Sequence, residues 1–289
     1  MKVMKLTCLS AFLLLNMVQM KAQKVFDTHI HGDRDIKIQT SKLRKAGVYK
    51  AAVSTSWAAQ ENYKNNDSIQ ILKGLMLPCP NGKVPYSLQK CYESGQDFPD
   101  PGWVEQQIRE NRIHFIGEVL SQYYGIAPSD KKLYPYYALA QKYGLPVGIH
   151  SGLAGPNHGS PHFKVSLGNP MLLEPMLRDF PNLKVWIMHA GAPFMDDTIA
   201  IMTYYRNVYA DLSAVSNPDL FPTEDFRYIM KRLINAGLGD RLMFGSDNGD
   251  IEKCLASIKA LDFLSQEQKD AVLYKNAERF FQNPGQNKR

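Results

Sequence analysis

Eight short runs of β-branched and apolar residues alternate with longer amphipathic stretches along this chain. That rhythm limits the fold more than any single motif. The runs are KVFDTHIHG, GVYKAAVST, SIQILKGLMLP, RIHFIGEVL, LPVGIHSG, LKVWIMHAG, NVYADLSA and RLMFGSDNG. Between them, stretches such as SDKKLYPYYALAQKYG, NPMLLEPMLRDFP and TEDFRYIMKRLINAG read as helices, and several stop at Gly or Pro. IEKCLASIKALDFLSQEQKDAVLYKNAERFF reads as one or two closing helices. Strands joined by helical crossovers pair in parallel and are buried on both faces. Eight such units predict an α/β fold, a (β/α)₈ TIM barrel with a parallel eight-stranded core. An open doubly wound sheet is the competitor, but no Gly-rich phosphate loop follows the first run.

The N-terminus stands apart from this rhythm. Lys2 and Lys5 precede the apolar LTCLSAFLLLNMVQM, and KAQ follows with Ala22 at a cleavable position. This is the pattern of a secretory signal over residues 1–22, with a retained anchor as the alternative. The apolar run is short and interrupted for a membrane span. Residues 23–289 then form one barrel domain, a length suited to a single α/β unit. Removing Lys2, Lys5 and Lys21 halves the net charge of +6, and no basic cluster marks a nucleic-acid partner. The expected setting is exported, periplasmic or extracellular. The mature chain keeps Cys79, Cys91 and Cys254, with no CxxC pair; an oxidising compartment permits one disulfide, and Cys79 and Cys91 are the nearer pair.

The chemistry lies at the ends of the runs. In DTHIHG, alternation along a strand puts Asp27, His29 and His31 on one face. The fourth run carries Glu118, the fifth His150, the sixth His189 and the eighth Asp247. A barrel gathers the C-terminal ends of its strands around one mouth, so six side chains able to bind a metal converge from five strands. The longest irregular stretch, Pro78 to Gly102, follows the third run and is expected over that mouth.

These motifs resemble the amidohydrolase superfamily of metal-dependent barrel enzymes, and more closely its amidohydrolase-related branch, amidohydrolase 2. DTHIHG is similar to that family's first-strand HxH, GIHSG and MHAG to its fifth- and sixth-strand histidines, and FGSDNG to its eighth-strand aspartate. The stretch GNPMLLEPMLRDFPNLKVWIMHAGAPF through NVYADLSA, and YKNAERFF near the end, extend the resemblance over nearly the whole mature chain. It implies that His29, His31, His150 and Asp247 ligate a catalytic divalent ion, zinc first, with one ion expected before two. His189 is then a ligand of a second ion or an unligated base, and Glu118 matches a carboxylate that bridges two ions in some relatives. In the decarboxylase-like members no bridging ligand is expected there. The implied activity is hydrolysis of a small amide, ester or lactone, with Asp247 accepting the water proton. The alternatives are non-oxidative decarboxylation of an aromatic or unsaturated acid, with His189 as the proton donor, and a non-catalytic binding protein on the same barrel.

Other residues carry weaker expectations. Arg34 could pair with a substrate carboxylate, and His158 and His162, in the loop after the fifth run, could touch substrate. Trp57 and Tyr123 or Tyr124 could wall the pocket. Asp211 and Ser213, alternating on the seventh run, could orient the ligands. Gly32, Gly152, Gly191 and Gly249 follow candidate ligands closely, as turn glycines or to let backbone approach. His114 falls at the opposite end of its strand and reads as structural. The partner is a small-molecule substrate, and a homodimer is left open.

Overall fold

The structure is a computed structural model that describes residues 23–64, 69–87, 89–92, 95–152 and 160–282. The expected signal segment, residues 1–22, and His158 lie outside them. All eight runs form strands: β1 (Val25–His31), β2 (Val48–Thr55), β3 (Gln70–Leu77), β4 (Phe115–Val119), β5 (Val147–Ile149), β6 (Val185–Ile187), β7 (Val208–Asp211) and β8 (Leu242–Met243). They form one sheet in chain order, each parallel to the next. The last strand meets the first through backbone bonds just beyond it. Thr28 N–H donates to Phe244 O at 3.0 Å, and Asp247 N–H donates to His29 O at 2.8 Å. The result is a nearly closed (β/α)₈ TIM barrel.

The helices follow local sequence logic. Ile36–Lys45 begins where the Asp35 side chain accepts from Ile38 N–H, and Tyr134–Tyr143 ends at Gly144 in the left-handed region. Thr223–Asn235 and Ile251–Lys259 pack their apolar stripes inward. The second βα unit departs from the regular pattern, because among the described residues only one turn, Trp57–Gln60, follows β2. After β3 the chain runs through the long irregular stretch before helix Pro101–Arg109. A disulfide joins Cys79 to Cys91 there, with a Cα–Cα distance of 6.3 Å, while Cys254 is free and buried. The closing segment comprises Gln266–Asp270 and Asn276–Phe281, joined by a π turn at Ala271–Lys275.

Aromatic rings fill the barrel at its N-terminal end. Phe26, Phe115 and Trp186 sit inside, and Phe280 and Phe281 of the last helix close over them, with Trp186–Phe280 at 5.7 Å and Phe26–Phe281 at 5.1 Å between ring centroids. Gly148 makes room for this filling: a Cβ there would lie 2.3 Å from the Trp186 ring. Each buried ring contributes about 1.5–3 kcal/mol. With that end packed shut, access to the interior is from the C-terminal mouth.

Candidate metal centre

The strand ends bring all six candidate ligands together. His29 and His31 finish β1, Glu118 lies in β4, His150 follows β5 by one residue, His189 sits in the turn after β6, and Asp247 follows β8. Glu118 is central. Its Oε2 lies 3.3 Å from His31 Nε2 and 3.9 Å from His29 Nε2, and its Oε1 lies 2.6 Å from His150 Nδ1 and 3.8 Å from His189 Nε2. Asp247 Oδ1 approaches His31 Nε2 at 3.1 Å and His29 Nε2 at 3.6 Å. Three overlapping triads have their ligand atoms within 4.8 Å of one another: His29, His31 and Glu118; Glu118, His150 and His189; His29, His189 and Asp247.

The outer nitrogens of the rings decide what the inner ones can do. A carboxylate or carbonyl only accepts, so a ring nitrogen bonded to one carries the proton. His29 Nδ1–H donates to Asp211 Oδ2 (3.0 Å), His31 Nδ1–H to Ser54 O (3.2 Å), and His150 Nδ1–H to Glu118 Oε1 (2.6 Å). The Ser213 hydroxyl donates to Asp211 Oδ1 and so accepts from His189 Nδ1–H at 2.9 Å. In their neutral form, the one that binds a metal, all four imidazoles therefore keep their Nε2 lone pairs for something else. For His29, His150 and His189 that atom is buried and has no hydrogen-bond partner. Buried polar atoms seldom stay unpartnered. Anchored outer nitrogens with open inner ones are the arrangement in which histidines bind metals. The nitrogen and carboxylate donors suit zinc or a similar divalent ion, so the residues fit such an ion.

Charge within the cluster runs the same way. Burial works against protonating His29, but the carboxylates of Asp211 and Asp247 outweigh it and raise its pKa to about 10. Burial also opposes the charge on Asp247, yet His29, His31 and His189 hold its carboxyl well below the usual range. The site thus has negative charge that attracts cations. Its backbone is strained as well. His189 and Ala190 adopt φ of 57° and 52°, and Asp247 and Asn248 adopt 49° and 55°. Such left-handed non-glycine residues cost of order 1–3 kcal/mol each and cluster at functional sites. Gly191 continues the first of these turns at φ 66°, where a Cβ would lie 2.4 Å from Thr198 Oγ1.

Several neighbours take different places from those expected. Asp27 does not face the cluster: a register irregularity between Asp27 and Ile30 interrupts the alternation, and its carboxylate accepts from Ser246 N–H, Ser246 Oγ and His29 N–H. Burial raises its pKa to about 7. Arg34 and His162, expected near a substrate rather than on the ion, are both exposed, one in the bend after β1 and the other against Gly125. Trp57 packs on Trp103, with ring centroids 4.8 Å apart, and Tyr124 donates to Asp97 at 2.7 Å; both serve the long stretch after β3. Tyr123 does reach the site, edge-on to His150 at 4.7 Å. Asp211 also accepts from His189 N–H and from Trp186 Nε1, which ties the cluster to the aromatic filling below. His114 accepts from Lys73 N–H away from the site.

Two participants are missing from the sequence reading. Asn248 Oδ1 accepts from His31 N–H at 2.9 Å, and the Tyr86 hydroxyl lies 3.1 Å from His31 Nδ1. A length of 25 irregular residues hid Tyr86; the DNG triplet, tolerant of left-handed backbone, hinted at Asn248. Beside His31 opens a cavity of about 270 Å³, lined by Ser54, Thr55, Tyr86 and Asn248 among others.

The comparisons with known proteins agree with this architecture. The family model described as amidohydrolase matches residues 101–282. An uncharacterized TIM-barrel protein from Bordetella bronchiseptica superposes with a TM-score of 0.64 at 17% identity, over 89% of this chain and 98% of that one. The 2,6-dihydroxybenzoate decarboxylase from Rhizobium gives 0.58 at 10% identity, over 90% and 98%. A candidate 2-pyrone-4,6-dicarboxylic acid hydrolase from Pseudomonas putida gives 0.59 at 13% identity, over 89% and 97%. At these identities the likeness is one of fold. No curated protein sequence matches the chain.

Proposed function

The chain belongs to the amidohydrolase family, and from that premise we propose that it is an exported metal-dependent hydrolase acting with water on a small amide, ester or lactone. One observation carries this reading: six side chains from five strands meet at one mouth, with the Nδ1–H of each of the four histidines held by an acceptor and three buried Nε2 atoms unpartnered. His29, His31, His150 and Asp247 would hold the ion, with Glu118 and His189 beside them. A divalent cation there, zinc first, supplies Lewis acidity, polarising a carbonyl oxygen and making water acidic enough to ionise near neutral pH.

The chain's own groups provide the rest. Asp247 is the cluster carboxylate most open to the mouth, 18% exposed against 2% for Glu118. It takes the water proton on its carboxylate and delivers it to the leaving group. His189, fixed by Ser213 and by its strained turn, presents its Nε2 lone pair to the cluster as a further donor beside the ion. Tyr123 and Tyr86 wall the site and limit bulk water. The signal-like residues 1–22 and the Cys79–Cys91 disulfide support export.

Product analysis on a panel of neutral amides, esters and lactones, beside aromatic carboxylic acids, tests the reaction. Hydrolysis products from the first group are expected. Release of carbon dioxide from the second, without hydrolysis of the first, would overturn the reading in favour of a lyase. Elemental analysis tests the centre: a purified chain that holds no divalent ion even after reconstitution is not this enzyme.

A further inference from the structure

The stretch after β3 makes a small hairpin that points back into the barrel mouth. Lys83 pairs with Lys90 as an antiparallel bridge, and Val84 N–H donates to Gln89 O at 3.0 Å. Directly behind that pairing the Cys79–Cys91 disulfide closes the base. Cys91 N–H donates to Gly82 O at 2.8 Å, and Asp97 ties the flank by accepting from Asn81 N–H at 2.7 Å. Val84 is buried, so the hairpin is seated on the core. Tyr86 occupies the tip. Its hydroxyl reaches 3.1 Å from His31 Nδ1, its ring meets the His31 ring edge-on at 5.4 Å, and it lies 5.9 Å from Tyr123, which in turn packs on His150.

His31 is the most exposed of the cluster histidines and the most weakly anchored. Its Nδ1–H meets Ser54 O at 3.2 Å, the longest of the four outer contacts, whereas His29 lies wholly buried against a carboxylate. The phenolic oxygen supplies a second acceptor for that Nδ1–H. A ring held at both acceptors cannot rotate its Nε2 away from Glu118 and Asp247. Because the tip hangs on a crosslinked base, the position of Tyr86 depends on the disulfide. We propose that Tyr86 is a positioning residue for His31, and that the Cys79–Cys91 crosslink acts on the metal centre through it. This rests on the reading of His31 as a ligand.

The test measures zinc affinity of the mature chain by competition with a chromophoric chelator, in four proteins. They are the wild type, Tyr86→Phe, the Cys79→Ser/Cys91→Ser pair, and the three changes combined. Losing an outer partner of a metal-binding histidine typically costs about 10-fold in affinity or more. Tyr86→Phe is expected to weaken zinc by about that factor, the serine pair by a similar one, and the combination by no more than either. In ¹⁵N-edited spectra of the zinc-bound protein, the His31 Nδ1 proton resonance is expected to move in Tyr86→Phe. Wild-type affinity and an unmoved resonance in Tyr86→Phe would overturn the proposal, and this arm stands even if the serine pair fails to fold. Serine substitutions that weaken zinc equally with and without Tyr86 would overturn the coupling through it. A wild type that binds no zinc is a separate outcome: it removes the metal reading itself.

Discussion

The two ends of this barrel are built on the same strands and differ completely. Phe26 lies three positions before His29, Phe115 three before Glu118, and Trp186 three before His189. At one end the side chains are rings packed to exclude everything; at the other they are ionisable groups with buried atoms left unpartnered. Two histidines show what the difference does. His114, at the packed end, has its pKa lowered to about 4 by burial, with the Lys73 charge adding to the effect. His29 suffers the same burial, yet Asp211 and Asp247 reverse the outcome and raise it to about 10. Burial alone expels charge, whereas burial beside carboxylates invites a cation. The packed end gives rigidity, and the mouth holds strain and repulsion that only a rigid frame can maintain.

Substitutions at the two ends should therefore separate stability from chemistry. The largest effect is expected at the mouth: His150→Ala and Asp247→Ala should each lower turnover by at least about 10³-fold while circular dichroism shows an intact fold. Near-normal activity in either would break the assignment. At the packed end, Phe280→Ala should cost about 3–5 kcal/mol in urea unfolding, with the metal content of the folded protein unchanged. Loss of metal there would mean that the two ends are not independent. A pH effect comes next. The folded chain holds His114 neutral where an unfolded one takes a proton, so its contribution is complete above pH 6.5 and declines as the pH falls toward 4. That decline, up to about 3 kcal/mol, should shrink in His114→Asn, as read from urea midpoints across this range. The smallest change is expected for Ser213→Ala, which removes the hydroxyl shared by Asp211, His29 and His189. Zinc affinity should fall about 10-fold with about 1 kcal/mol lost in stability; unchanged affinity would separate that network from the metal centre. Elemental analysis of the wild type should give one divalent ion per chain. Two would mean that Glu118, whose two oxygens face different histidine pairs, bridges them.

Much of this was legible in the chain because a barrel has a regular grammar. Period-two runs alternating with period-3.6 stretches state the topology, and the topology alone says that residues 29, 118, 150, 189 and 247 end at one mouth. The sequence could not show Asp27 turning aside to Ser246, because a strand irregularity is a local backbone event that strict alternation does not foresee. Nor could it show the short turn Trp57–Gln60 after β2, the left-handed backbone at His189 and Asp247, or Tyr86 at the tip of a hairpin.

By itself, then, the sequence determined the eight-fold parallel architecture, which residue types stand at the strand ends, and that they can bind a metal. These follow from periodicity and donor chemistry, which are local. The tertiary structure decided which ring nitrogen of each histidine is left open, which carboxylate lies at the centre, and which loop residue reaches back to His31. Those depend on distances of a few ångströms between segments far apart in the chain, and such distances exist only once the ring of strands has closed.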